Sequence, residues 1–409
     1  MDSAQGLIKF VHGSPQLNIS YATLIIRAMP GSRLRTPVKG KRMSAPASEA
    51  QVLDALRPIV DPDFKKSIVD LGFIKNLKID GTHVAFDIEL TTPACPIKAE
   101  FEREGKERVE ALEGVEEVAV TMTANTKQAA PAVKEKIVLP GVRNLLAVAS
   151  GKGGVGKSTV ALNLALSLQR SGARVGLMDA DVYGPSVPLL TGVHGQPATT
   201  SNQRIIPLEG YGIRLMSMGF FLDDNSPVIW RGPMVHGLIK QFLTDVAWGE
   251  LDYLIIDLPP GTGDAALTLT QLAPLSGAVI VTTANDLSLI DARKGLQMFS
   301  KVKVPIVGIV ENMAYFTPPE LPDKKYYLFG KDGGKKIAEE LNIPFLGEVP
   351  IDPRMAHYGD QGEPVVAVAP DSDSGKAFGE FSGLVARTLS TLADEGPSIL
   401  EADISWSPS

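Results

Sequence analysis

Downstream of residue 144 the chain alternates short, mostly apolar runs with longer stretches whose apolar residues recur every third or fourth position. The runs occupy residues 145–149, 175–178, 213–218, 253–256, 278–282, 306–310 and 345–349. Runs that are apolar on both faces and separated by helical stretches predict an α/β fold with a mostly parallel, doubly wound sheet covered by helices on both sides. Ligands in that architecture sit beyond the carboxyl ends of the strands, so the polar residues that end each run are where chemistry is sought. Upstream the pattern changes. Residues 50–60 carry apolar positions at helical spacing, 73–79 and 84–90 alternate as strands, 97–112 is helical and 115–121 alternates again, which predicts a small N-terminal α/β domain over 49–126. Residues 127–143 mix Ala, Lys and Pro without a period and predict a linker to a domain spanning 144–395. Near the end, Phe378, Phe381, Leu384, Val385, Leu389 and Leu392 share one helical face, while the polar face carries Glu380, Arg387, Asp394 and Glu395. A membrane-surface helix would be rich in Lys and Arg there, so core packing is predicted. Residues 396–409 have no period and predict a loose tail.

Composition narrows the possibilities. A length of 409 residues fits two or three domains, and a hydrophobic fraction of 44% is ample for buried cores. No run approaches the roughly 20 apolar residues of a membrane span, so a soluble chain without stable membrane insertion is expected. The net charge of −7 argues against a general nucleic-acid binder. The one cysteine, Cys95, rules out a disulfide within the chain and fits a reducing compartment. Residues 1–48 set Lys9, Arg27, Arg33, Arg35, Lys39, Lys41 and Arg42 against the single acid Asp2. That acid-poor, Ser-containing composition is that of an organelle transit peptide, with a basic tail on a cytosolic protein as the alternative.

The motif carrying most chemistry is Gly151-Lys152-Gly153-Gly154-Val155-Gly156-Lys157-Ser158-Thr159. It fits the phosphate-binding loop G-x-x-x-x-G-K-[ST] and stands where such a loop must, between an apolar strand and a helical stretch. The glycines let backbone N–H groups turn toward phosphate oxygens, and the following helix adds the positive end of its dipole. Lys157 is then expected on the β and γ phosphates of ATP and Ser158 on Mg²⁺. Two further runs end in acids. Asp179-Ala180-Asp181 and Asp257-Leu258-Pro259-Pro260-Gly261-Thr262-Gly263-Asp264 place carboxylates at strand ends, where Asp179 and Asp257 suit the metal and its water shell. The run 306–310 ends in Glu311-Asn312-Met313. The Asn312 amide offers the donor and acceptor that an adenine edge needs, or else caps its own loop. Cys95 lies in Thr91-Thr92-Pro93-Ala94-Cys95-Pro96, where a strand hands over to a helix start. That placement favours a thiolate, the alternative being a buried thiol that packs as a small hydrophobe.

Lys152 is not needed by the loop's own phosphates, and with it the chain resembles the SIMIBI class of dimerising ATPases with a deviant Walker A motif. In that class the residue matching Lys152 crosses a homodimer interface to the partner's nucleotide, and the residue matching Asp181 positions the hydrolytic water. The resemblance also implies that the asparagine matching Asn312 contacts adenine. Glu311-Asn312-Met313-Ala314-Tyr315-Phe316, Trp230-Arg231-Gly232-Pro233-Met234, the Asp257 motif and the Asp61-Pro62-Asp63 and Thr-Pro-Ala-Cys motifs resemble the Mrp/ApbC family of iron–sulfur carrier ATPases. Membership implies a [4Fe–4S] cluster handed to apoprotein acceptors, and the presequence points to the plastid branch and the chloroplast stroma, with mitochondrion or cytoplasm as alternatives. Most of that family carries a C-P-x-C pair after Glu-Asn-Met, whereas this chain reads Thr317-Pro318-Pro319-Glu320. Two copies would supply only two Cys95 thiolates, and clusters usually take four. A metal-free, nucleotide-dependent adaptor and a MinD/ParA-type positioning ATPase are therefore the competing functions.

Overall fold

The computed structural model describes residues 47–62, 64–93, 97–125, 137–222 and 232–395. The expected transit peptide, apart from its last two residues, Cys95, most of the linker, Trp230 with Arg231, and the tail lie outside the described residues.

The first helix, Glu49–Leu56, opens on a capping box in which Ser48 Oγ accepts from Gln51 N–H and Gln51 Oε1 accepts from Ser48 N–H at 2.8 Å. The periodic pattern reached residue 60, but the helix ends at Leu56 because Pro58 has no N–H to continue it. Val60 instead enters a two-stranded ladder, β1 (Val60–Asp61) against β2 (Lys66–Ser67). β3 (Ile74–Asp80) and β4 (His83–Leu90) form an antiparallel pair, and the helix Lys98–Glu110 crosses over to bring β5 (Glu117–Ala124) parallel to β4. Leu56, Ile68, Phe86, Ile88, Phe101 and Val109 fill the core of this unit.

The second sheet contains β6 (Val142–Ser150), β7 (Val175–Asp179), β8 (Leu208–Gly210), β9 (Ile213–Ser217), β10 (Leu251–Asp257), β11 (Gly277–Thr282), β12 (Ile306–Glu311) and β13 (Phe345–Glu348). Their order is β13-β12-β11-β6-β10-β7-β9-β8, parallel except for β8 at the edge, which runs against β9. β6 begins at Val142, inside the expected linker. Alternate residues of each central strand face opposite cores. Leu145, Ala147, Leu254 and Ile256 pack under the helices Gly232–Thr244 and Asp286–Lys301. Leu146, Val148, Tyr253 and Ile255 pack under Lys157–Arg170 and Asp373–Glu395. The last helix buries Phe378, Phe381, Val385 and Leu389, as its periodicity predicted. No helix among the described residues is long and apolar enough to cross a membrane.

The start of β10 meets the small unit. Tyr253 Oη and Thr92 Oγ1 share a buried hydrogen bond of 2.9 Å, and burial pushes the Tyr253 phenol up to about 12. Beside them Asp252 accepts from Arg174 through its backbone N–H at 2.9 Å and its guanidinium at 3.2 and 3.3 Å. Burial alone would raise the Asp252 carboxyl, but the hydrogen bonds and charge of Arg174, backed by Arg143, hold it below its ordinary value. A carboxyl depressed in the folded state stabilises above its unfolded pKa of about 3.9, and that contribution disappears as pH falls through the folded value. Asp252→Asn is therefore expected to cost roughly 1–2 kcal/mol at pH 7, since half of Arg174 faces water, and the deficit should shrink as pH falls below about 3.9. Urea unfolding of both proteins at neutral and acid pH measures it; a deficit that does not shrink contradicts the charge assignment.

Candidate nucleotide site

β6 delivers the chain at Ser150 and the helix Lys157–Arg170 takes it up, so the loop between them stands at the carboxyl edge of the sheet. Val155 is buried and anchors the loop in the core. Gly156 caps the helix in the left-handed region at φ +79°, and a Cβ there would run into the Asn312 amide. Only glycine satisfies both demands. Asn312, one residue past β12, donates from Nδ2 to the Val155 carbonyl at 2.8 Å. One N–H of the amide expected on adenine is thus engaged with the phosphate loop, 157 residues away, rather than with its own loop.

Lys157 is buried, and its ammonium forms an ion pair with Asp257 at the end of β10 while donating to Ser158 Oγ at 3.3 Å. Asp257 is fully buried, and its Oδ2 has no hydrogen-bond partner among the described residues. Burial pushes its carboxyl up, while Lys157 and the Ser158 hydroxyl pull it back. Two oxygen donors, one of them orphaned, side by side at the foot of a phosphate loop fit a hard divalent cation such as Mg²⁺.

Asp179, the last residue of β7, is differently occupied. Its Oδ1 accepts from Asp181 N–H at 3.1 Å, and its Oδ2 from Ser186 N–H at 3.1 Å, Val187 N–H at 3.3 Å and Ser217 Oγ at 2.9 Å. Burial first and the Asp257 charge second push its carboxyl up to about 7, against the pull of those donors. The side chain expected near Mg²⁺ is therefore engaged with the protein's own loop.

Asp181, half-buried, accepts from Gly184 N–H at 3.2 Å. Together with Lys152, Lys157, Ser158 and Pro260 it lines a cleft of about 280 Å³. Residues from three separate strand ends thus converge on one opening. The carbonyl of Lys152 accepts from Ser150 Oγ at 2.8 Å, but its half-exposed side chain makes no hydrogen bond or ion pair among the described residues. Backbone amides, a helix N-terminus and two lysines make the cleft a receptor for a polyphosphate. Among the described residues no three His, Cys, Asp or Glu side chains come together as a further metal site. Ser217 was not a sequence candidate, because a serine at a strand end carries no local mark of the carboxylate it faces.

The chain matches the family described as "NUBPL iron-transfer P-loop NTPase" over residues 141–386 and the family described as "iron-sulfur cluster assembly protein" over residues 49–122. It is 49% identical over 346 residues to an iron-sulfur cluster carrier protein of Synechocystis, covering 84% of this chain and 98% of that one. It is 46% identical over 355 residues to the chloroplastic Fe-S cluster assembly factor HCF101 of Arabidopsis thaliana, covering 86% of this chain and 66% of that longer one. Among solved structures, a nucleotide-binding protein of Archaeoglobus fulgidus in complex with ADP superposes with a TM-score of 0.50 at 42% identity, over 55% of this chain and 88% of that one.

Proposed function

Since the chain belongs to the iron–sulfur carrier family of P-loop NTPases, we propose that it is an ATP-dependent carrier that assembles a [4Fe–4S] cluster and transfers it to apoproteins. The observation that carries the nucleotide half is the convergence of Lys157, Ser158 and Asp181 on the cleft at the 151–156 loop, with Asp257 buried beneath it and paired with Lys157. Residues 151–159 hold ATP, with the loop amides and Lys157 on the phosphates, and Asn312 keeps the loop in shape. Lys157 exchanges Asp257 for the β and γ phosphates as ATP enters. Ser158 and Asp257 hold Mg²⁺, which neutralises phosphate charge when bound. Asp181 orients the attacking water. Lys152, without a side-chain partner among the described residues, reaches the nucleotide of a second copy, so hydrolysis is slow and depends on the homodimer. Small domain 49–126 handles cargo and acceptors, and the ATPase domain 144–395 drives their exchange. The basic segment 1–48 directs the chain to the plastid, in keeping with the chloroplastic relative.

A second reading is favoured by one count. The chain has a single cysteine, so a homodimer offers two thiolates, and external thiols or a partner must complete the ligation of a cluster. Without such ligands the protein is a metal-free adaptor. Anaerobic reconstitution with iron, sulfide and glutathione, followed by ultraviolet-visible and Mössbauer spectra, separates the two. The carrier gives a chromophore that Cys95→Ser loses and that apoprotein removes, whereas a colourless wild-type protein establishes the adaptor.

A further inference from the structure

Ser217 ends β9 fully buried, and it does not line the nucleotide cleft. Its hydroxyl donates to Asp179 Oδ2 at 2.9 Å and accepts from Gly219 N–H at 3.1 Å. The same carboxylate receives the N–H groups of Asp181, Ser186 and Val187, so four donors from two chain segments, the 181–187 loop and β9, meet on two oxygens. The turn Met218–Phe220 presses on the loop as well: a Cβ at Gly219 would stand 2.8 Å from Pro188 Cγ and 3.4 Å from Pro185 Cβ. β9 and its turn thus form the back wall of the 181–188 segment, and Asp179 joins the wall to the segment.

We propose that Ser217 is a positioning residue for hydrolysis, holding the 181–187 loop through Asp179 so that Asp181 stays at the phosphate cleft. The proposal rests on the assignment of Asp181 to the hydrolytic water. Apart from the Asp179 bonds, the ties of the 181–187 loop among the described residues are local: Asp181 accepts from Gly184 N–H, Val182 N–H donates to the Ala180 carbonyl, and the Ser186 and Val187 carbonyls accept from Leu190 N–H and Thr191 Oγ1 just downstream. Removing one hydroxyl from a buried carboxylate leaves its remaining donors to rearrange around an uncompensated lone pair. The loop amides feel that change directly, while the phosphate loop, built on β6 and Asn312, does not.

Turnover and fragment-resolved hydrogen–deuterium exchange of the full chain test this together. Ser217→Ala is expected to speed exchange at 181–187 by about tenfold, the equivalent of one lost hydrogen bond. It is also expected to lower kcat by about tenfold while KM for ATP stays within about twofold. Ser217→Thr, which keeps the hydroxyl, restores both. Gly219→Ala, which pushes on Pro188 while keeping both the Ser217 hydroxyl and the residue 219 N–H it accepts from, gives the same pair of changes. Wild-type exchange and kcat in Ser217→Ala overturn the proposal, as does an acceleration spread evenly over the whole sheet. Asp181→Asn should lose hydrolysis with the loop's exchange unchanged. If it hydrolyses at the wild-type rate, the water-positioning role of Asp181 falls, and with it the link from Ser217 to catalysis.

Discussion

Lys157→Ala is expected to abolish ATP hydrolysis and, in the nucleotide-free protein, to lower the free energy of unfolding by about 3–5 kcal/mol. The two losses have different causes. Hydrolysis fails because no ammonium remains to meet the β and γ phosphates. Stability falls because the fully buried Asp257 loses the cation that offsets its desolvation, and its Oδ2 already lacks a partner among the described residues. Adding Asp257→Asn to the variant should recover most of the stability and none of the activity, which phosphate release and urea unfolding read separately. Burial pushes the Asp257 carboxyl up, so without Lys157 it takes up a proton more readily and the deficit shrinks as pH falls. A Lys157→Ala protein as stable as wild type at pH 8 would show that the ion pair carries no strain of burial.

Lys152→Ala should behave in the opposite way. Its side chain is half-exposed and makes no hydrogen bond or ion pair among the described residues, so unfolding should be unchanged to within about 0.5 kcal/mol. Nucleotide affinity should survive too, since the loop amides and Lys157 remain. Hydrolysis should fall by about 10²-fold or more, because a cation delivered to the developing phosphate charge from across an interface is lost. Mixing Lys152→Ala with Asp181→Asn subunits should restore part of the rate, because one of the two mixed sites then receives Lys152 from its partner while keeping its own Asp181. No recovery on mixing, with mixed dimers formed, would place Lys152 in its own chain's site.

The central strands could be read from the sequence because a strand buried on both faces is largely apolar, and seven mostly apolar runs stood out. The phosphate loop could be read for a related reason: its chemistry is local, nine consecutive residues between a strand and a helix. What could not be read joins residues far apart in the chain. Lys157 and Asp257 are 100 residues apart and Asn312 and Val155 are 157 apart, and nothing near either partner announces the other. The edge strand β8 has three residues, too few to show a period. The alternation over 115–121 predicted β5 but not its direction, which the crossover helix decides by returning the chain to the same end of β4. Asp179 shows the limit most plainly. Two acids at a strand end suggested one group for the metal and one for the attacking water, and only burial and hydrogen bonding separate the one that grips a loop from the one that lines the cleft.

The central claim is that Mg²⁺ and ATP bind at the 151–159 loop and are clasped between two copies of the chain. Molar mass by multi-angle light scattering, with and without Mg²⁺ and a non-hydrolysable ATP analogue, tests it most directly. The account predicts a shift from the 43.6 kDa chain toward twice that mass with the analogue, and no shift for Lys157→Ala. A wild-type protein that binds no adenine nucleotide and keeps one unchanged mass under all conditions would contradict it.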